Sequence, residues 1–331
     1  LLSILLPLFA SSQSLQVQLN SSNFGSVSEL QTDSLFVQLF NNGSQAAQVN
    51  GYVNWSKYDG RQSWLKDSVF AIPAGGNYGL YVYFHPTQNV TYDLPLVLLT
   101  DSHYGAIPIE LQAQGVFSNA YYNSTQNLEG QALKNQFTTL LAQNYNQLSY
   151  NSARDNMYAT LDNVNGQVTC VYTGRSATFS TRAGANANSI NTEHTMPQST
   201  FGSASPMQTD IHHLFPTDAS ANSVRSNYPF GIVNSPTWSV GGSRYASSLF
   251  EPRDVQKGNS ARALLYFALR YGDYGGFIAG MESILRNWHL QDAPDAFERG
   301  RNDGIYQLQN NRNPLVDYPQ FEERLGSFTG N

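Results

Sequence analysis

The chain has 331 residues, of which 40% are hydrophobic and only 13% charged, with a net charge of -6. That length accommodates two ordinary domains, and the wealth of Tyr, Phe and Trp at low net charge excludes a disordered polar chain. The acidic total argues against a uniformly basic nucleic-acid binder. The charge is unevenly spread, however: residues 1–120 carry three basic residues against seven acids, whereas residues 171–270 carry eight against five. Local charge governs phosphate binding more than the total does.

The opening run LLSILLPLFASSQS places an apolar stretch, Leu1 to Phe9, before the small residues Ala10 to Ser12. Residues 1–14 are therefore expected to be the remnant of a secretory signal peptide, with a buried first strand as the alternative reading. The run is too short to span a bilayer, no later segment does so, and the protein is expected to be secreted or periplasmic. Its single cysteine, Cys170, cannot form an internal disulfide. Lying in the strand-like run Val168–Tyr172, it reads as a small buried hydrophobe rather than a nucleophile.

Residues 15–115 read as an all-β module. SLFVQLFNNG, AAQVNGYVNW, YGLYVYFHP, VTYDLPLVLLT and IPIELQAQG are short β-rich runs separated by Asn-Gly, Asp-Gly, Gly-Gly and His-Pro turn signals. About seven strands at this spacing predict an immunoglobulin-like sandwich. His85 and His103 fall at turns, and Trp55 and Trp64 suit packing better than a sugar platform. Such a module has no function attached to its fold; a surface glycan, a protein or the chain's own second domain are its conceivable partners.

A linker is expected over residues 116–126, where Gly115 ends the strand pattern. From Leu128 to Gln147 the period becomes helical, with Leu128, Leu133, Phe137, Leu140 and Leu141 on one face. A strand follows at Gln167–Tyr172, a second helical pattern at 254–270 around Ala261, Leu264, Leu265 and Ala268, and helical pieces at 277–288 and 294–301. Residues 325–331 read as a tail.

Chemistry concentrates in residues 191–231, NTEHTMPQSTFGSASPMQTDIHHLFPTDASANSVRSNYPFG. A carboxylate, three imidazoles, a carboxamide and an arginine within this stretch suit metal-assisted work on phosphate. Hydrolysis of a phosphodiester needs a base for water, charge neutralisation at phosphorus and help for the departing oxygen. Histidine, with an ordinary pKa of about 6.5, suits the first task. Glu193 and Asn222 offer hard oxygen donors, which favour Mg²⁺, Mn²⁺ or Ca²⁺ over Zn²⁺. Neighbours in an ordinary strand point to opposite sides. Placed at a strand end or irregular turn, however, they can address one substrate from two directions, which leaves His194 free as base while Glu193 holds the ion.

The segments TEHTMPQS, DIHHLFPTDASANSVRSNYPFG and FEPRDVQKGNSARALLYFALRYGD, with the closing WHLQDAPDAFERGRNDGIYQLQNNRNPLVDYPQFEE, resemble the bacterial endonuclease I family. These are secreted or periplasmic DNA and RNA nucleases with a ββα-metal, or His-Me finger, active site. The resemblance covers residues 127–324 and implies an α+β catalytic domain behind the accessory sandwich. It implies His194 as general base, Glu193 and Asn222 as ligands of one divalent cation, most simply Mg²⁺, and Asp210, His212 and His213 as supporting residues. Arg225, close behind Asn222, is a candidate for a non-bridging phosphate oxygen, and Arg175, Arg182, Arg253, Lys257 and Arg262 are candidates for the nucleic-acid backbone. The chain departs from many members of the family in one respect: residues 195–211 contain no Arg or Lys.

The resemblance further implies non-specific cleavage of DNA, and of RNA, to 5′-phosphate and 3′-hydroxyl ends; the protein is expected to be a monomer. Two other readings stand beside it. A zinc hydrolase is disfavoured by the lack of a His-Glu-x-x-His helix, and a serine esterase by the lack of a Gly-x-Ser-x-Gly elbow. A secreted binding protein on a degenerate nuclease scaffold differs from the enzyme in not needing the His194 imidazole.

Overall fold

The computed structural model describes residues 15–54, 58, 63–101 and 105–330. The expected signal remnant, Trp55 and His103 lie outside these residues. The chain divides into two compact units, Leu1–Leu128 and Glu129–Asn331.

The first unit is built from antiparallel strands in three sheets. In chain order they are β1 (Leu15–Leu19), β2 (Asn23–Ser28), β3 (Asp33–Asn41), β4 (Ala47–Val53), β5 (Ser63–Leu65), β6 (Val69–Ile72), β7 (Asn77–Phe84), β8 (Thr91–Asp93), β9 (Leu96–Thr100), β10 (Ala106–Ile109) and β11 (Gln112–Val116). The sheet orders are β1-β3-β7-β5, β10-β9-β4-β6 and β2-β11-β8, with β11 parallel to β2. Alternation decides the faces. In β4 the residues at every second position, Ala47, Val49, Gly51 and Val53, are buried, and the intervening ones are exposed. Val37, Leu39, Leu80, Val82, Phe84, Leu96 and Leu98 close the core as a β-sandwich. Trp64 is half exposed, with its ring stacked on Tyr83 at 5.6 Å.

Gly115 belongs to β11 instead of ending the strand pattern, and its lack of a side chain is what lets the strand pass. A Cβ there would stand 2.1 Å from the Gln88 carbonyl oxygen and 2.9 Å from the Tyr92 ring. Residues 116–126, expected as a linker, contain a 3₁₀ turn at Ala120–Thr125 with Tyr122 and Thr125 buried.

The second unit is α+β. It opens with α1 (Gly130–Ala142), whose Leu133, Phe137, Leu140 and Leu141 are buried as the periodicity demands. It continues with α2 (Tyr150–Asn156), capped by the Ser149 side chain and running into a π turn at Met157–Leu161. A small meander of β12 (Asn163–Val164), β13 (Gln167–Thr169) and β14 (Ser176–Thr178) follows, then α3 (Arg182–Ala187). The β13 strand stops before Cys170 because residues 171–173 turn away. Cys170 is buried, and burial pushes its thiol up to about 11, so it is inert at neutral pH.

Next come β15 (Ile190–His194), β16 (Leu214–Asp218) and α4 (Ala219–Arg225). A second meander, β17 (Trp238–Val240), β18 (Ser243–Ala246) and β19 (Leu249–Glu251), leads to the central helix α5 (Asp254–Tyr271). That helix is buried nearly all round from Ser260 to Arg270. The helices α6 (Glu282–Gln291), α7 (Ala296–Gln309) and α8 (Pro314–Asp317) complete the unit. Leu325 and Phe328, in the expected tail, are buried.

Gly115→Ala is expected to destabilise the sandwich by about 1–3 kcal/mol, because the obstructing atom is backbone and cannot rotate away. Urea unfolding of the variant beside the parent chain measures the loss.

Candidate active site

Three consecutive elements, β15, β16 and α4, carry the chemistry. The two strands pair antiparallel, with Glu193 opposite Phe215 and His194 opposite Leu214. Asp218 ends β16 and caps α4, accepting hydrogen bonds from the Ser220 amide and hydroxyl at 3.1 and 2.7 Å. One turn into the helix, the Asn222 Nδ2 donates to Asn191 Oδ1 at 2.9 Å and to the Thr192 carbonyl at 3.3 Å. Both donors of the amide are thereby turned onto β15, and its Oδ1 is left as the group with capacity for a ligand.

Glu193 and His194 sit on opposite faces of β15, as a strand requires. The Glu193 carboxylate is buried. Its Oε1 accepts from the Tyr172 hydroxyl at 2.7 Å and lies 3.1 Å from Arg225 Nε. That second contact is Coulombic rather than a directed hydrogen bond, since Nε has no acceptor along its N–H direction. Burial raises the Glu193 pKa, with Arg225 and Tyr172 acting against the rise.

His194 faces the other way, its ring 5.6 Å from Tyr150 and 5.5 Å from His213. Its Nε2 lies 3.1 Å from the Gln208 carbonyl. A carbonyl can only accept, so Nε2 carries the proton and Nδ1 holds the lone pair. Burial, followed by the neighbouring His213, pushes the imidazole down to about 3. The ring is neutral at physiological pH.

The run Asp210–His213 fixes the loop that supplies the Gln208 carbonyl. Asp210 is fully buried and accepts from Arg270 Nη1 at 2.5 Å, from the Tyr266 and Tyr271 hydroxyls at 2.7 and 2.9 Å, and from Gln309 Nε2 at 3.2 Å. Burial by itself would raise its pKa; the Arg270 charge, followed by His212, His213 and the Tyr266 hydroxyl, outweighs burial and holds it well below the usual carboxylate range. His212 Nε2 reaches the Asn311 carbonyl at 3.1 Å, and His213 Nε2 reaches that of Met207 at 2.6 Å. Both rings are buried structural braces beside the site. Arg301 adds hydrogen bonds to the Ile211 and Leu214 carbonyls while paired with Asp162.

The cationic candidates are sorted by their partners. Arg225 is 1% exposed, and its Nη groups are spent on the Ser226 and Thr195 carbonyls. The expectation that it meets phosphate is thereby corrected: it holds Glu193 from behind. Arg262 is likewise corrected, being buried in a two-pronged pair with Glu298 at 2.7 and 2.5 Å. Arg175 pairs with Asp218, Arg182 with Asp155, and Lys257 with Glu251 and Asp254. Arg253 precedes α5 and lies against Gly174, where a Cβ would meet its Nη1 at 2.2 Å.

Sequence reasoning passed over Tyr172, Tyr150, Arg154 and Tyr158. Tyr158 joins the His194 face through Thr192, hydroxyl to hydroxyl at 3.0 Å. The Ser-capped start of α2 was the available signal for Tyr150 and Arg154; Tyr172, in a turn far from the cluster, offered none.

Among the described residues, no three His, Cys, Asp or Glu side chains are grouped to hold a metal ion. The side-chain oxygens that could serve as donors are one from Glu193 and one from Asn222. So small a set, leaving most positions to water and substrate, suits a hard, hydrated divalent ion rather than a caged zinc.

A strand pair and helix bearing an imidazole on one face of the first strand, a carboxylate on the other and a carboxamide on the helix are the parts of a ββα-metal nuclease site. The family model for Endonuclease I matches residues 129–320, and the chain belongs to that family. It is 32% identical over 228 residues to an extracellular ribonuclease of Bacillus amyloliquefaciens, covering 63% of this chain and 78% of that protein. It is 29% identical over 154 residues to an extracellular deoxyribonuclease of Aeromonas hydrophila, covering 40% of this chain and 67% of that one. Membership in the family brings a metal-dependent phosphodiester hydrolase mechanism.

Asp210→Asn is expected to cost about 3–5 kcal/mol, because it leaves the Arg270 charge buried and unpaired. The sign of the pH effect follows from the depressed pKa. The contribution of Asp210 is complete above the ordinary unfolded value of about 4 and is lost only as pH falls below it towards the folded value. Urea unfolding at neutral and acid pH measures both, and a loss below about 1 kcal/mol would remove Asp210 from its central place.

Proposed function

We propose that this protein is a secreted, non-specific endonuclease that hydrolyses phosphodiester bonds of DNA and RNA, with His194 as general base and Glu193 and Asn222 as the ligands of one divalent cation, Mg²⁺ by the hardness of its donors. The observation that carries the reading is the orientation of His194: Nε2 is committed to the Gln208 carbonyl, so a neutral ring offers Nδ1 as base. The extracellular ribonuclease and deoxyribonuclease relatives support both substrates and an extracellular place of action.

His194 Nδ1 takes a proton from water, and the water oxygen forms its bond to phosphorus as the bond to the 3′ oxygen breaks. The products are a 5′-phosphate and, after protonation of the departing oxygen by solvent, a 3′-hydroxyl. A divalent cation held by Glu193 and Asn222 would supply charge neutralisation at the phosphate. Tyr172 and Arg225 keep the buried Glu193 carboxylate oriented, and the two donor bonds of Asn222 keep its Oδ1 turned outward. A base that is not itself a metal ligand keeps its lone pair for the proton. Contacts made to phosphates alone carry no sequence information, which fits a non-specific enzyme.

Plasmid DNA incubated with the protein should be cut in Mg²⁺ and left intact in EDTA. His194→Ala should lower the rate by roughly 10²–10⁴-fold while its circular dichroism stays that of the parent. A folded parent chain that cuts neither DNA nor RNA in Mg²⁺, Mn²⁺ or Ca²⁺ would favour a binding protein on a nuclease scaffold.

The burial of His194 makes a second expectation. Its ring proton resonances, followed by NMR in the metal-free protein, should not titrate between about pH 5 and 8, where an ordinary histidine does. A midpoint near 6.5 would mean that the ring is solvated and the Gln208 bond open.

A further inference from the structure

Arg, Lys or metal-ion clamps stabilise the charge that develops on a transferring phosphoryl group, and residues 195–211 contain neither Arg nor Lys. The other candidates near β15 are committed elsewhere. Arg225 is sealed behind Glu193, and Arg175 and Arg182 are each paired with an aspartate at 2.7 and 2.6 Å.

Among the described residues, one guanidinium remains on the His194 face. Arg154 lies one helical turn after Tyr150 on α2, with its Cζ 4.2 Å from the centre of the Tyr150 ring. That ring is in turn 5.6 Å from the His194 ring. Stacking on tyrosine fixes the guanidinium plane without neutralising it. Its Nη2 donates to Asn151 Oδ1 at 2.7 Å, its Nε has no acceptor, and among the described residues no carboxylate pairs with it. An arginine next to the base with donors to spare and no counter-charge is the complement of an anionic oxygen.

We propose that Arg154 binds a non-bridging oxygen of the scissile phosphate, with the Tyr150 ring as the platform that holds it beside His194. The assignment rests on the nuclease reading above and adds the phosphate-binding residue that the catalytic stretch lacks. Placed there, the charge draws the backbone into line with the His194-activated water.

The test uses the full chain. Binding of a short single-stranded DNA is measured in EDTA by fluorescence anisotropy across a range of salt concentrations, for the parent, Arg154→Gln and Arg154→Lys, and cleavage in Mg²⁺ is measured in parallel. Loss of one phosphate contact should lower the slope of log Kd against log salt by about 0.7 in Arg154→Gln. The slope should be restored in Arg154→Lys, and cleavage should fall at least tenfold in the Gln variant with partial rescue by Lys. If Arg154→Gln does not fold, Arg154→Met carries the same comparison. An unchanged slope in a folded variant overturns the assignment, as does equal loss of cleavage in the Gln and Lys variants. Those results leave the parent binding and cutting. A parent chain that does neither instead overturns the nuclease reading, and this assignment with it.

Discussion

Asp210 is a bare carboxylate in the interior of the catalytic unit, and on its charge the rest of the site depends. An uncompensated charge at that depth would cost several kcal/mol or would simply take up a proton. Here Arg270, two tyrosine hydroxyls and Gln309 converge on it. The carboxylate in return accepts from the His212 amide and so starts the tight turn through residues 211–213. That turn places the Met207 and Gln208 carbonyls where His213 and His194 can donate to them. The protonation state of the His194 imidazole thus traces back, through one loop, to a buried ion pair.

A second economy lies in β15. Two adjacent residues of a strand cannot share a face, and the site uses this. Glu193 is braced by Tyr172 and Arg225 on one side, while His194 meets Tyr150 and the 207–213 loop on the other. On the proposed assignment, this separation keeps the His194 lone pair away from the ion that Glu193 would hold. The Asn222 amide is bonded to the Thr192 carbonyl and the Asn191 side chain, just ahead of the pair on the same strand.

Much of this was legible in the sequence, for reasons that can be named. The strand alternation of residues 47–53 and the helical face of Leu133, Phe137, Leu140 and Leu141 are local patterns, and the structure keeps them. The density of Glu193, His194, Asp210 and Asn222 in one short stretch marked the region, and the strand–strand–helix unit sits there. What was hidden was partnership at long range. Arg225 and Arg262 look like surface cations in a one-dimensional reading, and only their burial against Glu193 and Glu298 shows otherwise. Tyr172 and Arg154 carry no motif, because their placement follows from how the first meander and α2 pack on β15. The turn at 171–173, which shortens the expected strand, is what brings the Tyr172 hydroxyl under Glu193.

The helix α7 reaches back across most of the catalytic unit. Arg301 clasps Asp162 and the carbonyls of Ile211 and Leu214, Gln309 takes the Ile211 amide, and Asn311 just beyond receives His212. Each of these partners lies far along the chain from the loop it fastens. Glu193, His194 and Asn222 are near neighbours in sequence, whereas the outer clasp of the loop beside them closes only over long range. A break in the chain ahead of α7 would therefore leave the three side chains in place and remove the clasp.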